Sequence, residues 1–130
     1  MLPRIDPTRS EPIYAQLMKE IKYSIATGMI GAGEPLPSVR QMAVQLRINP
    51  NTVARAYREL EREGVVVTIR GKGVYVSDAP RSSDKGRALA DVKHALDSIL
   101  VEAFHTGISA DEVREALEQR IKNLKSARAK

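Results

Sequence analysis

The chain has 130 residues, of which 42% are hydrophobic and 28% are charged, and its formal net charge is +5. This balance is typical of one folded domain, or of one small domain with an appendage, and it excludes a disordered chain. The lack of cysteine excludes disulfides and cysteine catalysis, and no apolar run approaches the roughly 18 residues of a membrane span. We expect a cytoplasmic protein without a signal peptide or membrane contact, and its basic charge makes nucleic acid the first partner to consider.

The first predicted element is a helix from about Glu11 to Thr27. Ser10 is its expected N-cap, and Gly28 is expected to end it. Its apolar residues recur at every fourth position and predict one buried face, made by Ile13, Leu17, Ile21 and Ile25. Residues 31–37 are rich in Gly and Pro and show neither a helical nor a strand period, so we expect a loop there.

Two shorter helices follow, joined by a tight turn. Ser38 is the expected cap of a helix over residues 39–46, and Asn49 is the expected cap of a third helix, with Pro50 at its first position. The turn of residues 47–49 is so short that the two helices must cross steeply, and the third then projects from the body. The buried stripe of the third helix is predicted to be Val53, Ala56, Tyr57 and Leu60.

A β-hairpin is predicted from two β-branched runs, residues 65–70 and 74–77, whose tip holds Arg70, Gly71 and Lys72. The order helix, short helix, tight turn, helix and hairpin is that of a winged helix-turn-helix domain, which we assign to residues 1–78. The predicted fold class is mainly α with a small β-hairpin, followed by a C-terminal α-helical hairpin.

Residues 79–130 are predicted to form a linker and a helical dimerisation region. Apolar residues at three- and four-residue spacing predict two helices on either side of Gly107, and Ser109 with Glu112 forms a capping box for the second. A lone helical hairpin has little core of its own, so we expect two copies to pair. The expected interface residues are Leu89, Val92, Leu96, Ile99, Val113, Leu117, Ile121 and Leu124. The alternative is that the hairpin packs on its own winged domain.

The positions expected to be exposed on the winged domain are polar and basic. Residues 37–75 contain seven Lys or Arg against three Glu. Amide, hydroxyl and guanidinium groups pair with base edges or phosphate, so we expect this surface to bind double-stranded DNA. The expected contacts are Ser38, Arg40, Asn49, Asn51, Thr52, Arg55, Arg58, Arg70, Gly71 and Lys72. The structural alternatives are a helix cap for Asn49, solvated surface charges for the arginines and a turn residue for Gly71.

The chain lacks the residue patterns of catalysis and metal binding. Its two histidines, His94 and His105, have no accompanying carboxylate cluster, and no glycine-rich phosphate loop follows a strand. We therefore predict neither an enzyme nor a metal or other cofactor.

Several segments occur together in an order that a bare helix-turn-helix pattern does not require. They are residues 12–14 (PIY) with 16–17 (QL), 33–40 (GEPLPSVR), 49–61 (NPNTVARAYRELE) and 71–76 (GKGVYV). On these segments, residues 11–77 resemble the DNA-binding domain of the GntR family of bacterial transcription regulators. The short C-terminal part is similar to the YtrA subfamily, whose members carry a two-helix dimerisation hairpin there.

The resemblance implies where the DNA lies. The residues that it implies at the DNA are Arg40, Thr52 and Gly71. Better-known branches of the family also have Arg where this chain has Pro50 and Ala54, so the base-reading residues expected here are Asn51 and Arg55.

Two functional hypotheses follow. The first is a homodimeric, sequence-specific repressor of transcription that occupies a palindromic, inverted-repeat operator in double-stranded DNA. The second is a protein–protein scaffold whose basic face meets an acidic partner. Both leave room for an unidentified small-molecule effector.

Overall fold

Five helices and one β-hairpin make up the parts of the chain that the structure, a computed structural model, describes: residues 3–78 and 84–129. The elements are α1 (Ile13–Ala26), α2 (Val39–Leu46), α3 (Pro50–Arg62), β1 (Val66–Ile69), β2 (Gly73–Val76), α4 (Lys85–His105) and α5 (Ala110–Ala129). The chain divides into two compact units, one containing α1 to β2 and one containing α4 and α5. The predicted linker falls largely on residues 79–83, which lie outside the described residues. The prediction of a mainly α fold with a small β-hairpin is confirmed.

The helix α1 begins two residues later than the sequence pattern suggests. Pro12 occupies the N-cap position and no side chain caps the helix, so the prediction of Ser10 as the cap is wrong. The cause is Pro12 itself, because a proline ring disfavours helical geometry in the preceding residue and keeps Glu11 outside the helix. The Pro12 carbonyl accepts hydrogen bonds from the Ala15 and Gln16 N–H groups, both at 3.1 Å.

A buried glutamine, Gln16, attaches the N-terminal segment to α1. Its Nε2 donates to the carbonyl oxygens of Asp6 and Glu11 at 2.9 Å, and its Oε1 accepts from the Asp6 N–H at 2.8 Å. A buried polar group left without such partners costs about 1–3 kcal/mol. The three bonds therefore fix the chain that enters α1.

The caps of the two shorter helices are those that the sequence predicts. Ser38 Oγ accepts from the Gln41 N–H at 3.1 Å, and Gln41 Oε1 accepts from the Ser38 N–H at 2.9 Å, which makes a capping box at α2. Asn49 Oδ1 accepts from the Asn51 N–H at 2.8 Å and caps α3. Between the helices, Arg47 adopts a left-handed conformation with a φ of 57° and completes the tight turn.

The helix α3 is the centre of the N-terminal unit, because it packs against α1, α2 and β1. Its predicted stripe is confirmed, since none of the four side chains is more than 5% exposed. Leu17 and Ile21 of α1 and Met42 of α2 are fully buried beside it. Burial of each such side chain contributes roughly 1.5–3 kcal/mol. One face of α3 is thereby anchored in the core, and the opposite face stays in solvent.

The segment before α2 pairs with the hairpin. β1 and β2 are antiparallel neighbours, and residues 33–36 run beside β2. The Gly33 N–H donates to the Val76 carbonyl and the Leu36 N–H donates to the Val74 carbonyl, both at 2.9 Å. The predicted loop is confirmed, since the segment forms neither helix nor strand, but it carries one isolated β-bridge from Pro35 to Tyr75. This bridge had no signal in the sequence, because backbone pairing requires no side-chain period. The pairing attaches the hairpin to the segment that leads into α2.

The C-terminal unit is a helical hairpin in which α4 and α5 are joined by residues 106–109. Ser109 and Glu112 form the predicted capping box, with bonds of 3.1 and 3.3 Å. Ala103 is the buried residue of this unit within the described range. Six of the eight predicted dimerisation residues are 37–53% exposed, and the other two, Leu96 and Val113, are half-buried. The hairpin alone thus leaves most of its apolar side chains in solvent.

Candidate nucleic-acid interface

The N-terminal end of α3 carries polar side chains that are wholly or partly exposed to solvent. Asn49 and Asn51 are exposed, and Thr52 is half-buried. The Oδ1 of Asn49 is engaged as the helix cap, whereas the side-chain amide of Asn51 has no hydrogen-bond partner among the described residues. An amide presents a donor and an acceptor side by side, which matches the major-groove edge of adenine.

Two arginines continue the exposed face of α3. Arg55 lies one helical turn beyond Asn51, and its guanidinium carbon is 3.8 Å from the centroid of the Tyr14 ring. Arg58 is exposed and forms no ion pair with any described residue. Both cations are therefore available to phosphate oxygens or to base edges.

The two acidic residues of α3 and its C-cap residue, Glu63, all have partners within the N-terminal unit. Glu59 forms an ion pair with Arg62, and Glu63 forms one with Lys22 of α1. Glu61 accepts a hydrogen bond from a backbone N–H of β1 at 2.9 Å. These carboxylates lie at the C-terminal end of α3 and at its C-cap, so they leave the charge of its first turns positive.

The start of α2 offers groups that suit an anion. Ser38 Oγ accepts from the Gln41 N–H, which leaves the hydroxyl hydrogen free to donate. Arg40 is exposed in the first turn and has no ion pair in the described part of the chain. The unpaired N–H groups and the positive dipole end of a helix start favour a phosphate at this place.

One buried hydroxyl joins α3 to the segment before α2. The Tyr57 OH donates to the Pro37 carbonyl at 2.7 Å. Burial raises the pKa of the Tyr57 phenol well above its usual value, so the group stays a neutral donor at physiological pH. The prediction that Tyr57 packs in the core is confirmed. Its hydrogen bond had no signal in the sequence, because the partners lie 20 positions apart.

The tip of the hairpin is open to solvent. Arg70, Gly71 and Lys72 are all exposed. Gly71 has a φ of 79°, which favours glycine, and a Cβ at this position would meet no other atom within 4 Å. The glycine therefore serves the backbone of the turn, and the two flanking cations have space for a phosphate.

The predicted contacts lie on three elements of the N-terminal unit. Ser38 and Arg40 are at the start of α2, and the two cations of the tip are on the hairpin. The structure brings Asn51, Thr52 and Arg55 of α3 to one shallow hollow of about 440 Å³ beside the start of α1, whereas Asn49 and Arg58 lie on α3 outside its lining. Its lining residues are Pro12, Ile13, Tyr14, Asn51, Thr52 and Arg55. The part that α1 plays in this surface had no signal in the sequence, because no local spacing links α1 to α3.

The described ranges hold no group of three or more His, Cys, Asp or Glu placed to bind a metal ion. His105 of α4 packs edge-on against the ring of Phe104, with 5.3 Å between the ring centroids. No helix within the same ranges is both long and apolar enough to cross a membrane.

Known proteins are similar to this chain in both sequence and fold. The family model described as bacterial regulatory proteins, gntR family, matches residues 13–76. The HTH-type transcriptional repressor YtrA of Bacillus subtilis (strain 168) is 35% identical over 116 residues, which is 89% of either chain.

Solved structures show the same likeness. The crystal structure of a transcriptional antiterminator from Listeria monocytogenes EGD-e matches with a TM-score of 0.82 and 28% identity, and covers 93% of this chain and 90% of that one. The structure of AraR(DBD) in complex with operator ORX1 matches with a TM-score of 0.52 and 25% identity, over 57% of this chain and 92% of that one. The chain therefore belongs to the GntR family of bacterial regulatory proteins, as its sequence segments predict, and carries a winged helix-turn-helix DNA-binding domain.

Proposed function

We propose that this chain is a homodimeric, sequence-specific transcriptional repressor that binds an inverted-repeat operator in double-stranded DNA. The observation that carries the proposal is the sorting of charge on α3. The three carboxylates at its C-terminal end, the C-cap included, have partners within the fold. By contrast, Asn51 and Arg58 of its exposed face have no side-chain partner among the described residues. The repressor that is similar in sequence and the operator complex that is similar in fold support the same conclusion.

The proposal gives each predicted contact a role. Asn51 and Arg55 read base edges in the major groove, because they lie one turn apart at the exposed start of α3. Thr52 and Arg58 bind backbone phosphates beside these bases. The side-chain NH₂ group of Asn49 adds a contact, while its oxygen caps the helix. Ser38 and Arg40 hold a phosphate at the start of α2, and Arg70, Gly71 and Lys72 approach the backbone from the hairpin.

The homodimer is proposed from the C-terminal hairpin. Side chains such as Leu89, Ile99 and Leu117 remain 45–51% exposed, and a large apolar surface of this kind is normally covered by a partner. Pairing of two hairpins would bury these faces as a helical bundle. A twofold dimer presents two recognition helices, so the operator is expected to be an inverted repeat with half-site centres ~34 Å apart or a multiple of that distance. A role on chromosomal DNA accords with the cytoplasmic location that the sequence predicts.

The test is selection from a randomised library of DNA duplexes by the full chain, followed by titration of the recovered duplex at several salt concentrations. We expect an enriched inverted repeat, and an affinity that falls with log salt by a slope of about 0.9 for each phosphate neutralised. Polyglutamate is the control for the scaffold hypothesis. If no sequence is enriched, and the chain binds polyglutamate as tightly as it binds DNA, the proposal is overturned in favour of an acidic protein partner.

A further inference from the structure

The stacked pair of Tyr14 and Arg55 lies where α1 meets α3. The guanidinium carbon of Arg55 is 3.8 Å from the centroid of the Tyr14 ring. Tyr14 is in the first turn of α1, and Arg55 is in the second turn of α3. A planar guanidinium over the face of an aromatic ring is attracted by the ring's negative face, which makes this a favourable contact and not only a neighbouring position.

The ring is held in place by the core. Tyr14 is half-buried and packs against the hydrophobic cluster of the N-terminal unit, whereas Arg55 is exposed. A free arginine side chain samples many rotamers and loses conformational entropy when it is fixed. Stacking on an anchored ring removes part of that freedom before DNA arrives, so less entropy is lost on binding.

The stack also directs Arg55 toward the base-reading side chains. Asn51 is four residues before Arg55 on the same helix, which places the two side chains on one face. Asn51, Thr52, Tyr14 and Arg55 all line the same hollow. The ring thus sets the position of a cation relative to the amide beside it, and an amide–guanidinium pair with fixed spacing is able to distinguish base pairs.

We propose that Tyr14 is a positioning residue for sequence reading: its ring holds the Arg55 guanidinium beside Asn51 in the geometry that recognises the operator. The inference rests on the proposed DNA-binding function. It assigns to α1 a part in specificity that composition and helix period do not show. Tyr14 acts in this role through the face of its ring, so the phenolic hydroxyl is dispensable.

The experiment compares the full-length wild type with Tyr14→Leu, Tyr14→Met and Tyr14→Phe. The two probes are the duplex that the wild type selects from a randomised library and a scrambled duplex of equal length. We expect Tyr14→Leu and Tyr14→Met to lose about 2- to 5-fold in affinity for the selected duplex per bound copy, the range given by a cation–π contact at an exposed site. Affinity for the scrambled duplex and the salt slope should stay unchanged, because no charge is removed.

Matched controls separate the ring from the general fold. Tyr14→Phe keeps the ring and should bind the selected duplex within error of the wild type. In an Arg55→Ala background, Tyr14→Leu should cause no further loss, because the cation that it positions is absent. Thermal unfolding of every variant checks that it is folded. Both Tyr14→Leu and Tyr14→Met are included, so that if one fails to fold, the other still tests the loss of the ring.

The possible results lead to distinct conclusions. A wild type that enriches no sequence would overturn the proposed function itself. A wild type that selects an operator, with Tyr14→Leu equal to it on both duplexes, would overturn the role of Tyr14 alone. An equal loss in Tyr14→Phe, or an equal loss in the presence and absence of Arg55, would also overturn the positioning role.

Discussion

Single residues determine which charges of the winged domain remain free. Glu59 and Glu63 form ion pairs within the fold, and Glu61 accepts from a strand N–H. Arg40 and Arg58 have no such partner among the described residues. Exposed ion pairs contribute only about 0–1 kcal/mol to stability. The pairing of these charges therefore affects the electrostatic potential at the surface more than the stability of the fold. A surface whose cations are unpaired, and whose carboxylates are paired within the fold, attracts phosphate.

Substitution of Arg40 and of Asn51 should affect DNA binding in different ways. Arg40→Ala removes one proposed phosphate contact, so we expect weaker binding to every sequence and a salt slope lower by about 0.9 per copy. Asn51→Ala removes a proposed base contact, so it should cost about 1–3 kcal/mol of binding free energy on the selected operator and little on scrambled DNA. Anisotropy titrations on both duplexes measure this, with Arg62→Ala as a control, because Arg62 is paired with Glu59. Wild-type binding by both variants would refute the assignment.

The buried hydroxyl of Tyr57 should be worth more than an exposed one. Tyr57→Phe leaves the Pro37 carbonyl without its donor, so we expect a loss of about 1–2 kcal/mol in the free energy of unfolding. Tyr75→Phe is the matched control, since its hydroxyl makes an exposed contact of 3.4 Å to the Lys72 carbonyl, and its change should stay within about 0.5 kcal/mol. Urea unfolding measures both values, and equal losses would contradict the structural role of the Tyr57 bond.

Elements of the winged domain are oriented by short backbone connections. The turn between α2 and α3 depends on one left-handed residue, Arg47, with a φ of 57°. Residues 33–36 pair with β2, so the hairpin and the start of α2 share one backbone network. The start of α2, the exposed face of α3 and the hairpin therefore keep a fixed relation to one another, which a DNA-binding surface made from three elements requires.

The left-handed turn should be more stable with glycine than with any side chain. A Cβ in this conformation costs about 1–2 kcal/mol, part of which is offset by the greater freedom of glycine in the unfolded state. We expect Arg47→Gly to raise the free energy of unfolding by about 0.5–1 kcal/mol over Arg47→Ala, which removes the charge but keeps the Cβ. Urea unfolding compares the two variants. A glycine variant no more stable than the alanine variant would show that the turn carries no strain.

The molecule as a whole has one unit with a buried core and one unit with little core of its own. In the N-terminal unit, apolar side chains of α1, α2, α3 and the hairpin bury one another. In the C-terminal unit, most predicted interface residues stay exposed, and Phe104 is 78% exposed. Two helices that pack only on each other cannot bury the apolar faces of both. This is the physical reason to propose a second copy of the chain.

A charge on the exposed apolar face of α4 should separate the proposed dimer. Ile99→Asp would bury a carboxylate from each copy, so we expect dimer affinity to fall by roughly 3 kcal/mol, or more than 100-fold. His94→Asp adds the same side chain at an exposed polar position of α4 and should leave the dimer intact. Sedimentation velocity over a range of concentrations measures both. A wild type that is monomeric throughout would instead favour packing of the hairpin on its own winged domain.

Local sequence patterns were sufficient to predict most of the elements and the chemistry of their exposed residues. The caps Ser38 and Asn49, the apolar stripe of α3 and the capping box at Ser109 could all be predicted, because each depends on residues within a few positions of one another. The polar and basic character of the surface followed from the same local pattern. Even the error at Ser10 was local, since the effect of Pro12 on its predecessor outweighed a good capping residue.

Contacts between residues far apart in the sequence could not be predicted from local patterns. The stacking of Tyr14 on Arg55, the bond from Tyr57 to Pro37 and the pairing of residues 33–36 with β2 join positions that no helical or strand period relates. Such contacts arise when the core fixes how α1, α2 and the hairpin pack around α3. Periodicity specifies which face of an element is buried, but packing specifies what each exposed side chain has beside it.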